Sequence, residues 1–445
     1  MNAGTAGGVY RARRPRETPL WRCMHDHFDR FIQDYDARFQ PKLGFLRPVI
    51  KEVVEKFLDC GNLEQGFARV RCPDCAHEYL LAFSCRGRWF CPSCHQKKVL
   101  LFGEFVTGRV LATVPHRHHV FTMPVMLRTY FRYDRDLLKD LCAVAYECLR
   151  EYLTTSLEMP DGIPGVVMTI HTFGEYLDFH PHLHAIVADG LFGEDGSFRV
   201  APARDLRPLE NLFRARLLRM LVQKGRLPPE RAEMLRKWKH SGFSLWRSRR
   251  IAPDKKDHAE RLAQYIIRNS FSMEKMEVAA PSGKVLYRSK MSAKTHRNFE
   301  LFEPTDFIAA ITQHIPDKGV QMVRYYGWYS NKSRGMRAKQ NRTGAVMLMD
   351  PEEPRIPSKK WRELIKKVWE VDPLECPNCG GEMKIIALID ERAVVEKILR
   401  HLGLWVDYGA SRAPPQETGH GYVIETIEDD PFPDYESIDQ SSATG

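Results

Sequence analysis

The sequence contains no run of about eighteen apolar residues, so no membrane-spanning helix is expected. Its first twenty residues hold Arg11, Arg13, Arg14 and Arg16 with no apolar stretch behind them, so no secretory signal is expected either. No segment recurs at a fixed period, which argues against a solenoid or propeller. Acidic residues are scarce over one long stretch. Between Arg214 and Arg250 stand twelve Lys or Arg, against only Glu230 and Glu233.

What is present points elsewhere. The 445 residues are 43% hydrophobic and 11% aromatic, enough for large cores in roughly two to three domains. A net charge of +10 suits a polyanionic partner. Of the eleven cysteines, six lie in three C-x-x-C pairs. Without a secretory signal, such pairs read as metal-binding thiolates in a reducing compartment rather than disulfides.

Periodicity gives an α+β chain. Phe28, Phe31, Ile32 and Tyr35 recur at helical spacing, as do Val49, Val53, Val54, Phe57 and Leu58. A strand is expected within 110–126 and an amphipathic helix over 134–158. The apolar runs 165–173 and 181–188, joined by a short connection, read as an antiparallel hairpin. The basic stretch 205–250 carries helical stripes, and 258–276 and 305–315 read as helices. Residues 284–303 alternate like strands. The last 25 residues carry seven acidic and no basic side chains, and are expected to be disordered. The resulting division is a basic tail (1–20), a helical and zinc-binding domain (21–105), a catalytic domain (110–335), a C-terminal module (336–408) and an acidic tail (409–445).

Three clusters carry chemistry. Cys72, Cys75, Cys91 and Cys94 form C-x2-C-x15-C-x2-C, a spacing that suits one tetrahedral zinc with a closed coordination sphere. Cys60, Cys85, His77 and His95 lie nearby as replacements or as ligands of a second ion. Cys376 and Cys379 form half a zinc ribbon; with no second pair in the tail, a rubredoxin-like turn without metal is expected there. In F-H-P-H-L-H-A-I-V, His182 and His184 share one face of a strand and can hold one divalent ion with open positions. His171, across the hairpin, is the expected third ligand, and His180 competes with it. In V-R-Y-Y-G-W-Y-S-N-K-S-R-G, Tyr325, Tyr326 and Tyr329 are candidate nucleophiles. Arg324, Lys332, Arg334 and Trp246 are candidate DNA contacts, the cations for phosphates and the indole for base stacking. Each cluster also has an ordinary structural reading: a zinc that only holds its own module together, surface or core histidines, and an aromatic core with a solvated basic face.

Taken together, the stretches C-G-N-L-E-Q-G-F-A-R-V-R-C-P-D-C, S-C-R-G-R-W-F-C-P-S-C, P-H-R-H-H-V-F-T-M-P, H-T-F-G-E-Y-L-D-F-H-P-H-L-H, Y-I-I-R-N-S-F-S and V-R-Y-Y-G-W-Y-S resemble one family. It is the insertion sequence ninety-one family of rolling-circle transposases, within the HUH endonuclease superfamily. The resemblance spans roughly residues 21 to 400 in the family's order. It implies an antiparallel palm with the histidine pair on a central strand and tyrosines on a helix beside it. It also implies a catalytic Mg2+ or Mn2+, a structural Zn2+, and cleavage and rejoining of single-stranded DNA through a 5′-phosphotyrosine. The implied partners are element ends and target DNA, the implied location is the bacterial cytoplasm at the nucleoid, and no membrane is involved. A replication initiator or relaxase of the same superfamily, and a zinc-dependent DNA-binding regulator without catalysis, are the competing readings.

Overall fold

The computed structural model describes residues 15–87, 89–202, 205–238, 242–279, 283–291, 296–340 and 374–405. The acidic tail and most of the connector after residue 340 lie outside them. Among the described residues, no helix is long and apolar enough to cross a membrane.

The chain opens with helices α1 (Pro19–Arg38), α2 (Gln40–Leu43) and α3 (Pro48–Leu58). A hairpin of β1 (Phe67–Arg71) and β2 (Glu78–Ala82) follows, then α4 (Pro92–Phe105). Strand β3 (His116–Thr122) leads to α5 (Val125–Tyr133) and α6 (Leu137–Ser156), and the expected hairpin is β4 (Gly165–Phe173) with β5 (Phe179–Ala188). The short pair β6 (Gly190–Phe192) and β7 (Phe198–Val200) precedes α7 (Arg207–Gln223), α8 (Pro229–Lys237), β8 (Ser244–Arg247) and α9 (Lys256–Tyr265). A meander of β9 (Met276–Ala279), β10 (Lys284–Arg288) and β11 (Phe299–Phe302) leads to α10 (Pro304–Thr312), β12 (Val323–Gly327) and α11 (Asn331–Gln340). Strand β13 (Lys384–Ile389) and α12 (Arg392–His401) form the last unit.

The central element is a five-stranded antiparallel sheet ordered β12-β4-β5-β3-β8. Every residue of β4 and β5 is buried. Strands covered on both faces read as continuous apolar runs rather than as alternation, which is how both appear in the sequence. One face carries Val166, Met168, Ile170, Leu183, Ala185 and Val187 and packs on α6 and α7. Helix α6 offers Leu138, Leu141, Cys142, Ala145, Leu149 and Leu153 at i, i+3 and i+4 spacing, the stripe that drives its docking. The other face carries Val120, Val167, Ile186 and Ala188, capped by α4 and α9.

Helices α1, α3 and α10 share a second core with the β9–β11 meander. The C-terminal unit does not stand apart. Strand β13 pairs antiparallel with β1, giving a small sheet ordered β13-β1-β2, and Val395 and Leu399 of α12 close over Phe67.

Candidate active site

Residue parity along β5 places His182 and His184 on the α4/α9 side of the sheet, with Ile186 and Ala188. His171 faces the same side from β4, directly opposite His182. The structure thus brings His171, His182 and His184 together, with one ring nitrogen of each within 4.8 Å of the others. His180 stays outside this group; its carbonyl instead accepts the Nδ1–H of His182 at 2.7 Å. That bond leaves the His182 Nε2 lone pair aimed at His184 Nε2, 3.0 Å away. The other nitrogen of His184 lies 2.8 Å from His118 Nε2. His171 donates Nε2–H to the Ile266 carbonyl at 2.7 Å, and its Nδ1 is buried with no hydrogen-bond partner.

Buried lone pairs converging in this way are costly unless something accepts them, and a divalent cation does so. Burial holds the His182 imidazole down to about 3, and pushes His171 and His184 well below their ordinary value, with neighbouring histidines adding to the effect. All three are therefore neutral near pH 7, the form that ligates metal.

The segment Tyr265–Arg268 covers this cluster. The Tyr265 ring packs edge-on against His184 and His118, and the Arg268 guanidinium lies over the Tyr265 and Phe173 rings. The same segment binds the zinc module, because His95 donates Nε2–H to the Ile267 carbonyl at 2.6 Å.

The three tyrosines part company. Tyr325 and Tyr326 lie on an edge strand, not on a helix as the resemblance implies, and adjacent strand residues face opposite ways. Tyr325 pairs with Val167 and shares the histidine face. Its row continues to Ile186, two residues from His184, so the Cα atoms of Tyr325 and His184 lie about 12 Å apart. Tyr326 turns to the α6 side and stacks on Tyr146, with centroids 4.7 Å apart. Gly327, at φ 55°, ends the strand; a Cβ there would strike the Pro164 carbonyl. Tyr329 therefore falls in a turn. It is fully buried, its hydroxyl 2.7 Å from His116 Nε2 and accepting Ala112 N–H at 3.3 Å. Burial raises the phenol pKa of all three, steeply for Tyr326 and Tyr329, while Arg334 works against the rise at Tyr325.

The expected single set of four cysteines is divided between two clusters. Cys60, Cys85, Cys91 and Cys94 form one, and Cys72, Cys75, Cys376 and Cys379 form the other. The hairpin geometry explains this. Cys72 and Cys75 lie at the tip of β1–β2, whereas Cys60 and Cys85 flank its open end and join the pair that starts α4. Five-residue strands separate tip from base by about 17 Å, too far for one ion. In the first cluster the sulfur pairs Cys60–Cys94, Cys85–Cys94 and Cys60–Cys91 stand at 3.8, 3.6 and 3.8 Å. A tetrahedral zinc with Zn–S near 2.3 Å sets its sulfurs about 3.8 Å apart, so the cluster fits that ion. Thiols of Cys60, Cys85 and Cys91 facing Cys94 pull its pKa far down, favouring the thiolate that zinc needs.

The family model described as “Putative transposase” matches residues 165–337, which carry the histidine hairpin, its cover and the tyrosines. The one described as “Transposase zinc-binding domain” matches residues 27–123. Over 363 residues the chain is 28% identical to the transposase for insertion sequence element IS801 of Pseudomonas savastanoi pv. phaseolicola, covering 78% of this chain and 85% of that protein. The chain belongs to the insertion sequence ninety-one family of transposases. It is also 26% identical over 393 residues to “Putative transposase y4qJ” of Sinorhizobium fredii, covering 82% of this chain and 95% of that one. No solved structure matches the transposase.

The candidate DNA contacts of this transposase scatter. Arg334 lies 5.4 Å over the Tyr325 ring, and Lys332 is exposed on the same helix. Arg324 instead turns to the Tyr326 side. Trp246, on the far edge strand, is half-buried with its ring against His118. Sequence reasoning missed Thr169, buried opposite His184 with its hydroxyl unpartnered. Strand parity alone, two residues before His171, marks it. It also missed His118, whose contact with His184 crosses 66 residues of chain.

Proposed function

We propose that this transposase cleaves and rejoins single-stranded DNA at the face shared by the three histidines and Tyr325. The observation that carries the reading is the convergence of His171 Nδ1, His182 Nε2 and a His184 nitrogen beneath one buried cover, with a tyrosine on the same sheet face. These nitrogens would hold a divalent cation, which supplies polarisation of a scissile phosphate and offsets its developing charge. Nitrogen donors with no carboxylate fit Mn2+ better than Mg2+.

Around that centre the protein's own groups do the rest. Tyr325 Oη attacks the phosphorus; the O–P bond forms as the bond to the 3′ oxygen breaks, giving a 5′-phosphotyrosine and a 3′-OH that takes the proton. Arg334, beside the Tyr325 ring, favours the phenolate. Because the covalent bond stores the energy of the broken one, attack by another 3′-OH rejoins DNA without an external source. Tyr326 and Tyr329 act in packing. Cleaving one strand and passing its end to another site is the chemistry of rolling-circle transposition, with element ends and target DNA as partners. Arg268 and Tyr265 cover the histidines from solvent.

The test is incubation of labelled single-stranded terminal DNA with the protein and Mn2+. A covalent band that maps to Tyr325 is expected. DNA that is bound but left intact would sink the reading in favour of a non-catalytic DNA-binding regulator.

A further inference from the structure

The zinc-binding family match ends at residue 123, yet Cys376 and Cys379 stand against Cys72 and Cys75. We infer that these four cysteines form a second zinc site, a clasp that fastens the C-terminal unit to the N-terminal module across the whole catalytic domain.

The geometry is that of two matched knuckles. The sequences C-P-D-C-A (72–76) and C-P-N-C-G (376–380) share their first, second and fourth residues. Cys72 N–H donates to the His77 carbonyl, and Cys376 N–H to the Gly381 carbonyl, each at 2.8 Å. Ala76 N–H returns to the Cys72 carbonyl at 3.1 Å, and Gly380 N–H to the Cys376 carbonyl at 2.8 Å. In both knuckles the residue after the second cysteine is left-handed, Ala76 at φ 59° and Gly380 at φ 72°. An alanine held there is strained, and it persists only where its surroundings impose it. The knuckles face one another, with Cys72 Sγ 3.5 Å from Cys379 Sγ and Cys75 Sγ 3.4 Å from Cys376 Sγ. Disulfide sulfurs would stand near 2.05 Å. Four sulfurs at these separations surround one tetrahedral ion, and each knuckle alone offers only half the ligands.

The site joins cysteines 301 and 307 positions apart, so it closes the entire 110–335 region into one loop. Strand β13 pairs with β1 beside it, so ion and ladder fix the same two units. The two sites also differ in access. Cys75 and Cys379 are exposed, whereas Cys60 and Cys91 are buried in the helical core.

Elemental analysis of the full-length protein should find about two zinc ions per chain, and Cys376→Ser/Cys379→Ser should reduce this to about one. A chelator should strip the wild-type protein in two phases, the exposed ion first. One ion per chain in wild type, or an unchanged zinc content in the variant, overturns the site. The clasp itself is read from full-length protein carrying an inserted protease site near residue 350. After cutting, the C-terminal fragment should co-elute with the remainder, and separate on chelation or with the Cys376→Ser/Cys379→Ser change. A fragment that stays bound after losing its metal would show that the β1–β13 pairing suffices, and would overturn the clasp. Should the double variant fail to fold, chelator phases and fragment release in the wild-type background still decide the matter.

Discussion

His171 and His95 donate their Nε2–H groups to adjacent carbonyls, those of Ile266 and Ile267. One histidine belongs to the candidate cation site. The other directly follows Cys94, a member of the first cysteine cluster. The Tyr265–Arg268 segment is thus pinned from both sides, and it ties the zinc-binding module to a ring of the central sheet.

Replacing His95 by Ala should therefore act at a distance. The zinc content should hold, because all four thiols of its cluster remain. Leaving the buried Ile267 carbonyl unpaired should cost about 1–3 kcal/mol in denaturant unfolding. Mn2+ affinity at the histidines should fall about tenfold or more, since partners that orient metal-bound imidazoles carry effects of that size. Calorimetric titration with Mn2+ decides it; an unchanged affinity would show that the two sites are independent.

The double change His182→Ala/His184→Ala should abolish cleavage while single-stranded DNA affinity stays within a few-fold of wild type. Affinity comes from many phosphate contacts, whereas cleavage needs the ion at one phosphate. Fluorescence anisotropy and a gel assay of the same preparation separate the two. Cleavage at the wild-type rate would remove the histidines from the mechanism.

Phe substitution tests each tyrosine without disturbing packing. Tyr325→Phe should eliminate the covalent DNA adduct, and Tyr326→Phe should retain it. Tyr329→Phe should also form adduct but unfold about 1–3 kcal/mol more easily, because His116 Nε2 and the Ala112 N–H lose their shared hydroxyl. Peptide mapping of the adduct to Tyr329 would reverse these assignments.

His314 predicts acid lability. It is fully buried, donating Nε2–H to the Leu177 carbonyl at 2.9 Å with the Thr172 hydroxyl 3.1 Å from its Nδ1. Burial first, then Arg135, Arg47 and Arg132, lower its pKa to about 3. The unfolded chain takes up this proton near pH 6.5 and the folded protein only near 3. Stability is therefore full above about pH 6.5 and falls as pH drops toward 3, by up to ~1.4 kcal/mol per pH unit for this group. Urea unfolding across that window should show the slope, and His314→Gln should flatten it by about one proton. An unchanged slope would mean that His314 titrates alike in both states.

Much of this was written locally. The α6 stripe, the β4–β5 hairpin and the shared face of His182 and His184 follow from periods of 3.6 and 2. The cysteine partners do not, because spacing in sequence cannot tell the tip of a hairpin from its base, and Cys376 lies 301 residues from its neighbour Cys75. The tyrosines were ambiguous for a different reason. A spacing of four keeps a face in helix and strand alike, and only the turn at Gly327 separates Tyr329 from Tyr325. The segment 265–268 was visible as wording, while its role rests on backbone carbonyls, which no side-chain pattern records.

Strand β12 has a single neighbour among the described strands, whereas β4 and β5 are each paired on both sides. Freeing the tyrosine strand breaks one ladder; freeing either histidine strand breaks two. Local opening follows such differences, so the amides of β12 should exchange with solvent before those of β4 and β5. On the proposed chemistry, a DNA end joined to Tyr325 would ride on the part of the sheet that yields first under load, while the three imidazoles would keep their places: the tether would give and the anchor hold.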